Sequence, residues 1–192
     1  QNISMLSSFD NGRTWSQTPK IISFRAGKRD GMPVPLLLRG HQRIAVAIED
    51  NGFVNFKPYI ITNTVAENWK TAVVAESSNR IYALANRLND DVYAGAPYLR
   101  QLSTGETVLS YQGTEGRADN SLGNAVMKVA IGDSVATNFK NPTVPFTIPA
   151  GKSGLWNSIL VLKDDTMIAL TSTNAFSSDG VEVWMIKGKL VH

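Results

Sequence analysis

Ser8-Phe9-Asp10-Asn11-Gly12-Arg13-Thr14-Trp15 reads as a turn that builds its own scaffold. Asp and Asn side chains bond the backbone of their own turn, Gly takes positive φ without steric cost, and a following aromatic residue can plug the space between strands. A polar turn, an aromatic residue and a return to β-type sequence recur more faintly at Ala66-Glu67-Asn68-Trp69-Lys70 and at Ala136-Thr137-Asn138-Phe139-Lys140. The turn belongs to a repeating chain.

A stronger repeat interleaves with it. Gly31-Met32-Pro33-Val34-Pro35-Leu36-Leu37-Leu38 aligns with the eight residues from Gly95 and with the eight from Gly154, and in each case a turn and a second β-rich run follow, at 44–49, 107–112 and 167–172. The glycines are 64 and 59 residues apart, a period that suits a four-stranded antiparallel blade with generous loops. Short apolar or alternating runs bounded by Gly, Asn, Asp and Pro predict further strands at 32–38, 54–62, 72–75, 98–102, 125–131, 159–162 and 181–186. A short helical turn is predicted at 77–85. The fold class is therefore all-β.

Composition agrees with one folded unit over 1–192. The chain is 43% hydrophobic and 18% charged, with no Pro/Gly/Ser-rich linker to divide it. Its net charge of +3 is scattered, and the densest basic cluster, Arg25, Lys28 and Arg29, lies in a Gly-containing loop beside Asp30. A nucleic-acid partner would call for a concentrated basic stripe, so none is expected. The absence of cysteine excludes disulfides and thiolate chemistry. Apolar runs such as 44–48 and 159–162 are far too short to span a membrane, and with Gln1 first and no leader pattern the expectation is a processed or excised piece, secreted, periplasmic or at the cell surface.

The residues Ser8, Asp10, Gly12, Thr14 and Trp15 match all five positions of Ser-x-Asp-x-Gly-x-Thr-Trp, which resembles the Asp-box of sialidases and related six-bladed β-propellers. The repeats beginning near Gly31, Gly95 and Gly154 are similar to the C-terminal half of sialidase-like propellers. The stretch 31–34, leading to a strand that ends in Glu49, resembles the exo-arabinanase branch. The resemblance implies about three to four four-stranded blades of a six-bladed ring, in a single partial domain. Such a piece does not close, so the remaining blades are expected from a missing N-terminal part, another fragment or another copy.

For function, the resemblance implies a glycan substrate and exo-acting, retaining hydrolysis of a terminal sialoside or arabinoside. The alternative is a non-catalytic propeller that binds carbohydrate or protein. Glu49 is the implied general acid/base, with Gln112 and Thr171 at the equivalent repeat positions. The plainer reading of Glu49 is a solvated strand-end glutamate. The tyrosine nucleophile of sialidases would fall near Trp156, and a carboxylate nucleophile of the arabinanase type would lie N-terminal to residue 1. Arg29, Arg100 and Arg117 are candidates for holding a substrate carboxylate. Asp30, Asp91 and Gln112 are candidates for sugar hydroxyls, and Trp156, aligned with Pro33 and Pro97, is the candidate stacking platform. Trp15, Trp69 and Trp184 are expected in the inter-strand core. His41 and His192 are isolated, and no metal or other cofactor is expected.

Overall fold

The computed structural model describes residues 2–23, 30–50, 57–70, 92–173 and 180–191. The predicted strand at 72–75, the helical turn at 77–85, and Arg25, Lys28, Arg29, Asp91 and His192 lie outside the described residues.

Twelve strands form four antiparallel sheets among the described residues. The first sheet pairs β1 (Ile3–Met5) with β2 (Lys20–Ser23), and the second runs β3 (Asp30–Leu37), β4 (Arg43–Asp50), β5 (Lys57–Thr64). The third is β6 (Ala94–Gln101), β7 (Thr107–Gly113), β8 (Val126–Gly132), β9 (Lys140–Thr143). The fourth is β10 (Gly154–Val161), β11 (Met167–Thr173), β12 (Glu182–Gly188). Among the described residues one sheet has the expected four strands, and the others have two or three.

The sheets stack face to face as propeller-like blades, because side chains alternate along each strand and both faces are apolar. On β4, Ala45 and Ala47 pack with Leu99, Leu109 and Tyr111 of the next blade. Their neighbours Val46 and Ile48 pack the other way, with Ile3, Ile22 and Trp69. On β7, Leu109 and Tyr111 face the second sheet, while Val108 joins Phe146, Ile148, Ile159 and Ala169 towards the fourth. Apolar side chains stay exposed at both ends of the stack: Leu6, Phe9, Trp15 and Ile21 at one, Val183, Met185 and Ile186 at the other.

The first strand of each of the last three blades carries a bulge that the repeat glycines foreshadowed but did not place. Register slips after Gly31, Gly95 and Leu155, and the next residue in each, Met32, Ala96 and Trp156, has positive φ of 47°, 48° and 53°. Trp156 is therefore equivalent to Met32 and Ala96, not to Pro33 and Pro97, where Asn157 stands. Leu155, rather than Gly154, matches the two earlier glycines. The same register opposes Gly31 to Glu49, Gly95 to Gln112 and Leu155 to Ser172. Ser172 replaces Thr171 as the third equivalent, since a slip of one residue moves a side chain to the opposite face of a strand.

The opening turn, between β1 and β2, is held by its own side chains. Thr14 donates its amide to Asp10 Oδ1 at 2.8 Å and its hydroxyl to Oδ2 at 2.6 Å, and the Gly12 amide donates to Ser8 Oγ at 2.8 Å. Asp133 and Thr137 repeat the geometry between β8 and β9, at 2.8 and 2.5 Å, so this second turn is spaced like the first and precedes Phe139 by one residue more than the sequence alignment had it. Phe139 and Trp69 are fully buried, as expected. Trp15 is instead 58% exposed and folds back over its own turn, donating Nε1–H to the Gly12 carbonyl at 3.2 Å. Trp184 is also not in the core: it lies on β12, every residue of which is exposed, and its Nε1–H bonds Glu182 at 2.7 Å.

The Thr14 hydroxyl, then its amide and the Ser8 hydroxyl, lower the Asp10 carboxyl to about 2. A carboxyl depressed on folding stabilises the folded state fully above its unfolded pKa, and that contribution fades as pH falls through the folded value. An NMR titration of Asp10 is expected to show a midpoint near 2. In Thr14→Val the midpoint should move up towards the ordinary 3.8, and a wild-type midpoint near 3.8 would contradict this geometry.

Candidate functional site

Glu49 lies near the end of β4, opposite Gly31 of β3, and is 5% exposed, so the burial of this strand end differs from the solvated position that a glutamate in a Glu-Asp-Asn-Gly turn suggests. It lies on the same face of β4 as Ala45 and Ala47 and meets the next blade, where the Ala96 amide donates to Oε2 at 2.5 Å. The bulge creates this bond: positive φ at Ala96 turns its N–H out of the β6–β7 ladder and towards Glu49.

Gln112 repeats the arrangement one blade later. It is fully buried, and its Oε1 accepts the Trp156 amide at 3.2 Å, again from a bulge residue of the following blade. Its Nε2 donates to the Tyr93 hydroxyl at 2.6 Å. Tyr93 and Glu49 converge on Gly95, where a Cβ would overlap Glu49 Oε2 and come 2.7 Å from the Tyr93 oxygen. Glycine is needed here for space. Burial pushes the Tyr93 phenol well above its ordinary value, and the charge of Glu49 pushes it the same way against the opposing bond from Gln112. Tyr93 escapes sequence reading because no motif marks it; its position two residues before the repeat glycine is the single available signal.

The structure thus brings together Glu49, Gln112 and the backbone of Trp156. The Trp156 indole is 61% exposed on its bulge. Asp30 starts β3, buried, with Oδ2 accepting the Ser23 hydroxyl at 2.6 Å. Arg117 is engaged elsewhere: Nε donates to the Asn124 carbonyl at 2.9 Å, Nη1 to Ile148 at 3.2 Å, and Nη2 to Pro149 and Lys152 at 2.9 and 3.0 Å. It pins the loop after β7 to the segment that leads into β10. Arg100 donates Nη1–H to the Leu99 carbonyl at 2.7 Å and lies 5.9 Å from the centre of the Tyr98 ring. Among the described residues no three His, Cys, Asp or Glu side chains group as metal ligands, and no helix is long and apolar enough to cross a membrane. A cleft lined by Lys152, Thr173, Glu182 and Trp184 opens on the last blade and includes neither Glu49 nor Gln112.

No protein-family model matches the chain, and no curated protein matches it in sequence. Its fold does have relatives of known structure. The α-L-arabinanase of Penicillium chrysogenum complexed with arabinobiose superposes with a TM-score of 0.52 at 14% identity, over 93% of this chain and 53% of that one. The GH93 α-L-arabinofuranosidase of Fusarium graminearum, also with arabinobiose, gives 0.51 at 15% identity, over 95% of this chain and 55% of that one. The chain spans about half the length of the structures it matches, and at this identity the likeness is one of fold: the four stacked sheets are β-propeller-like.

Proposed function

We propose that the chain is part of an exo-acting glycoside hydrolase that removes terminal arabinose, with Glu49 as general acid/base. The observation that carries this reading is a carboxyl buried where two blades meet, between the end of β4 and the start of β6, held by the Ala96 amide and flanked by Tyr93. A partly enclosed carboxyl is what protonation of a glycosidic oxygen requires, followed by activation of water by the same group. Trp156 offers an exposed apolar face for a sugar ring, and the partner nucleophile and remaining blades come from another segment or copy. The apolar ends of the stack are the surfaces such blades would cover. The fold neighbours, crystallised with arabinobiose, favour an arabinoside over a sialoside. Two of the three arginines considered for a sialic-acid carboxylate, Arg100 and Arg117, donate to backbone carbonyls instead, and we assign Arg117 to loop bracing. Action outside the cytoplasm fits this reading.

A second reading, a carbohydrate-binding propeller without catalysis, is favoured by one observation. Glu49 and Gln112 occupy the same register position and both accept the bulge amide of the next blade, so Glu49 has a structural task that needs no ionisable group.

Incubation of the complete protein with arabino-oligosaccharides and, in parallel, a sialoside separates these readings. Release of arabinose alone is expected; binding without release of either sugar would select the second reading, and release of sialic acid would overturn the substrate assignment. Trp156→Ala is expected to raise KM about tenfold, equivalent to ~1.4 kcal/mol of sugar binding, with kcat changed less. An unchanged KM would remove Trp156 from the site.

A further inference from the structure

We propose that Tyr93 is a positioning residue for the Glu49 carboxylate, and that Gln112 locks it in place by bonding the Tyr93 hydroxyl and the Trp156 amide with the two ends of one carboxamide. The inference rests on Glu49 as the working carboxyl and adds the residues that hold it.

Three observations converge. Tyr93 is fixed at its backbone, since its amide donates to Thr114 Oγ1 at 3.0 Å and its carbonyl accepts the Thr114 amide at 3.0 Å. Its hydroxyl oxygen and Glu49 Oε2 share the small space beside Gly95 that any Cβ would fill. Because the Gln112 Nε2–H donates to the phenol oxygen, the phenol's own proton is directed away from Gln112. Burial and the neighbouring carboxylate keep that proton on Tyr93 across the working pH range.

Gln112 gives the arrangement its reach. A buried carboxamide costs free energy unless both ends are bonded, and here each end is used, in different directions. One end sets the phenol and the other holds the bulge that presents Trp156, a backbone conformation that L-residues with large side chains adopt at a cost. Trp156, Gln112, Tyr93, Glu49 and Ala96 thereby form one polar chain across three blades. Its consequence is that the sugar platform and the carboxylate cannot shift independently.

The test is the titration of the Glu49 carboxyl, followed by NMR on carboxyl-labelled glutamate and identified by its loss in Glu49→Gln. Among the described residues, Tyr93 is the titratable group that faces Glu49 from the segment leading into β6; the register also places Asp30 beside it on β3, and Asp50 and Lys57 at the adjoining β4–β5 pair. A donor to a carboxylate lowers its pKa, so Tyr93→Phe is expected to raise the Glu49 midpoint by about one unit. The alkaline limb of the activity profile should move up with it. Gln112→Met should shift the Glu49 midpoint in the same direction by less and displace the Trp156 amide resonance, which Tyr93→Phe leaves in place. A folded Tyr93→Phe with an unmoved Glu49 midpoint would reduce Tyr93 to packing. If that variant does not fold, an unmoved midpoint in Gln112→Met overturns the proposal equally. The NMR readout needs no turnover, so it decides the role of Tyr93 even if Glu49→Gln proves fully active and the hydrolase reading fails.

Discussion

Glu49→Gln in the complete protein is expected to lower hydrolysis of an arabinoside at least a hundredfold while changing stability by no more than about 0.5 kcal/mol. The two halves of this expectation come from the same comparison. Gln112 demonstrates that a carboxamide at this register position accepts the bulge amide of the next blade, so glutamine at 49 can keep the bond from Ala96. What it cannot do is exchange a proton at neutral pH, and general acid/base catalysis typically contributes 10²–10⁴-fold. Full activity in Glu49→Gln would leave the inter-blade bond as the sole task of this residue. Glu49→Ala is the informative contrast, because it also leaves the Ala96 N–H without this acceptor, at a cost of about 1–3 kcal/mol. Loss of activity in the alanine variant alone would therefore point to structure rather than chemistry.

Arg117→Met is expected to destabilise the protein by about 3 kcal/mol, a fall in melting temperature of roughly 6–12 °C for a chain of this size. The guanidinium satisfies four carbonyls on two segments, and two of them, from Asn124 and Ile148, belong to buried residues. Methionine keeps much of the stem but none of the donors, so these acceptors lose their partners together. Denaturant midpoints measure the loss. Unchanged stability combined with weakened glycan binding would instead return Arg117 to the substrate site. Arg117→Lys should recover only part of the deficit, since an ammonium cannot reproduce the planar fork that reaches four oxygens.

The architecture was legible in the sequence because the signals that carry it are local. Asp10 and Thr14 bond across four residues, so spacing alone announces that turn, whereas the like bond from Thr137 to Asp133 is one residue out of step with the echo in the sequence and emerges only in the structure. The alternation of Ala45, Val46, Ala47 and Ile48 announces a strand with two apolar faces, and the repeats from Gly31, Gly95 and Gly154 announce the blades. Strand starts were less legible: β6 begins at Ala94 and β10 at Gly154, where Gly, Pro and the bulge interrupt the pattern that a strand should show.

The site depended on the tertiary structure. Glu49 and Gln112 can be chosen from the repeat, but the bond from Glu49 to Ala96 spans 47 residues and that from Gln112 to Trp156 spans 44, and a bulge determines which amide points across. One residue of slip separates Ser172 from Thr171 and turns one away from the face the other occupies. Tyr93 and Arg117 are assigned by neighbours from distant parts of the chain, one beside a carboxylate and the other on four carbonyls. The sequence by itself determined that the chain forms repeating antiparallel blades, since backbone turns and side-chain alternation act over a few residues. Only the tertiary structure decided which side chains meet between blades, because that depends on register and face, which no stretch of a few residues encodes.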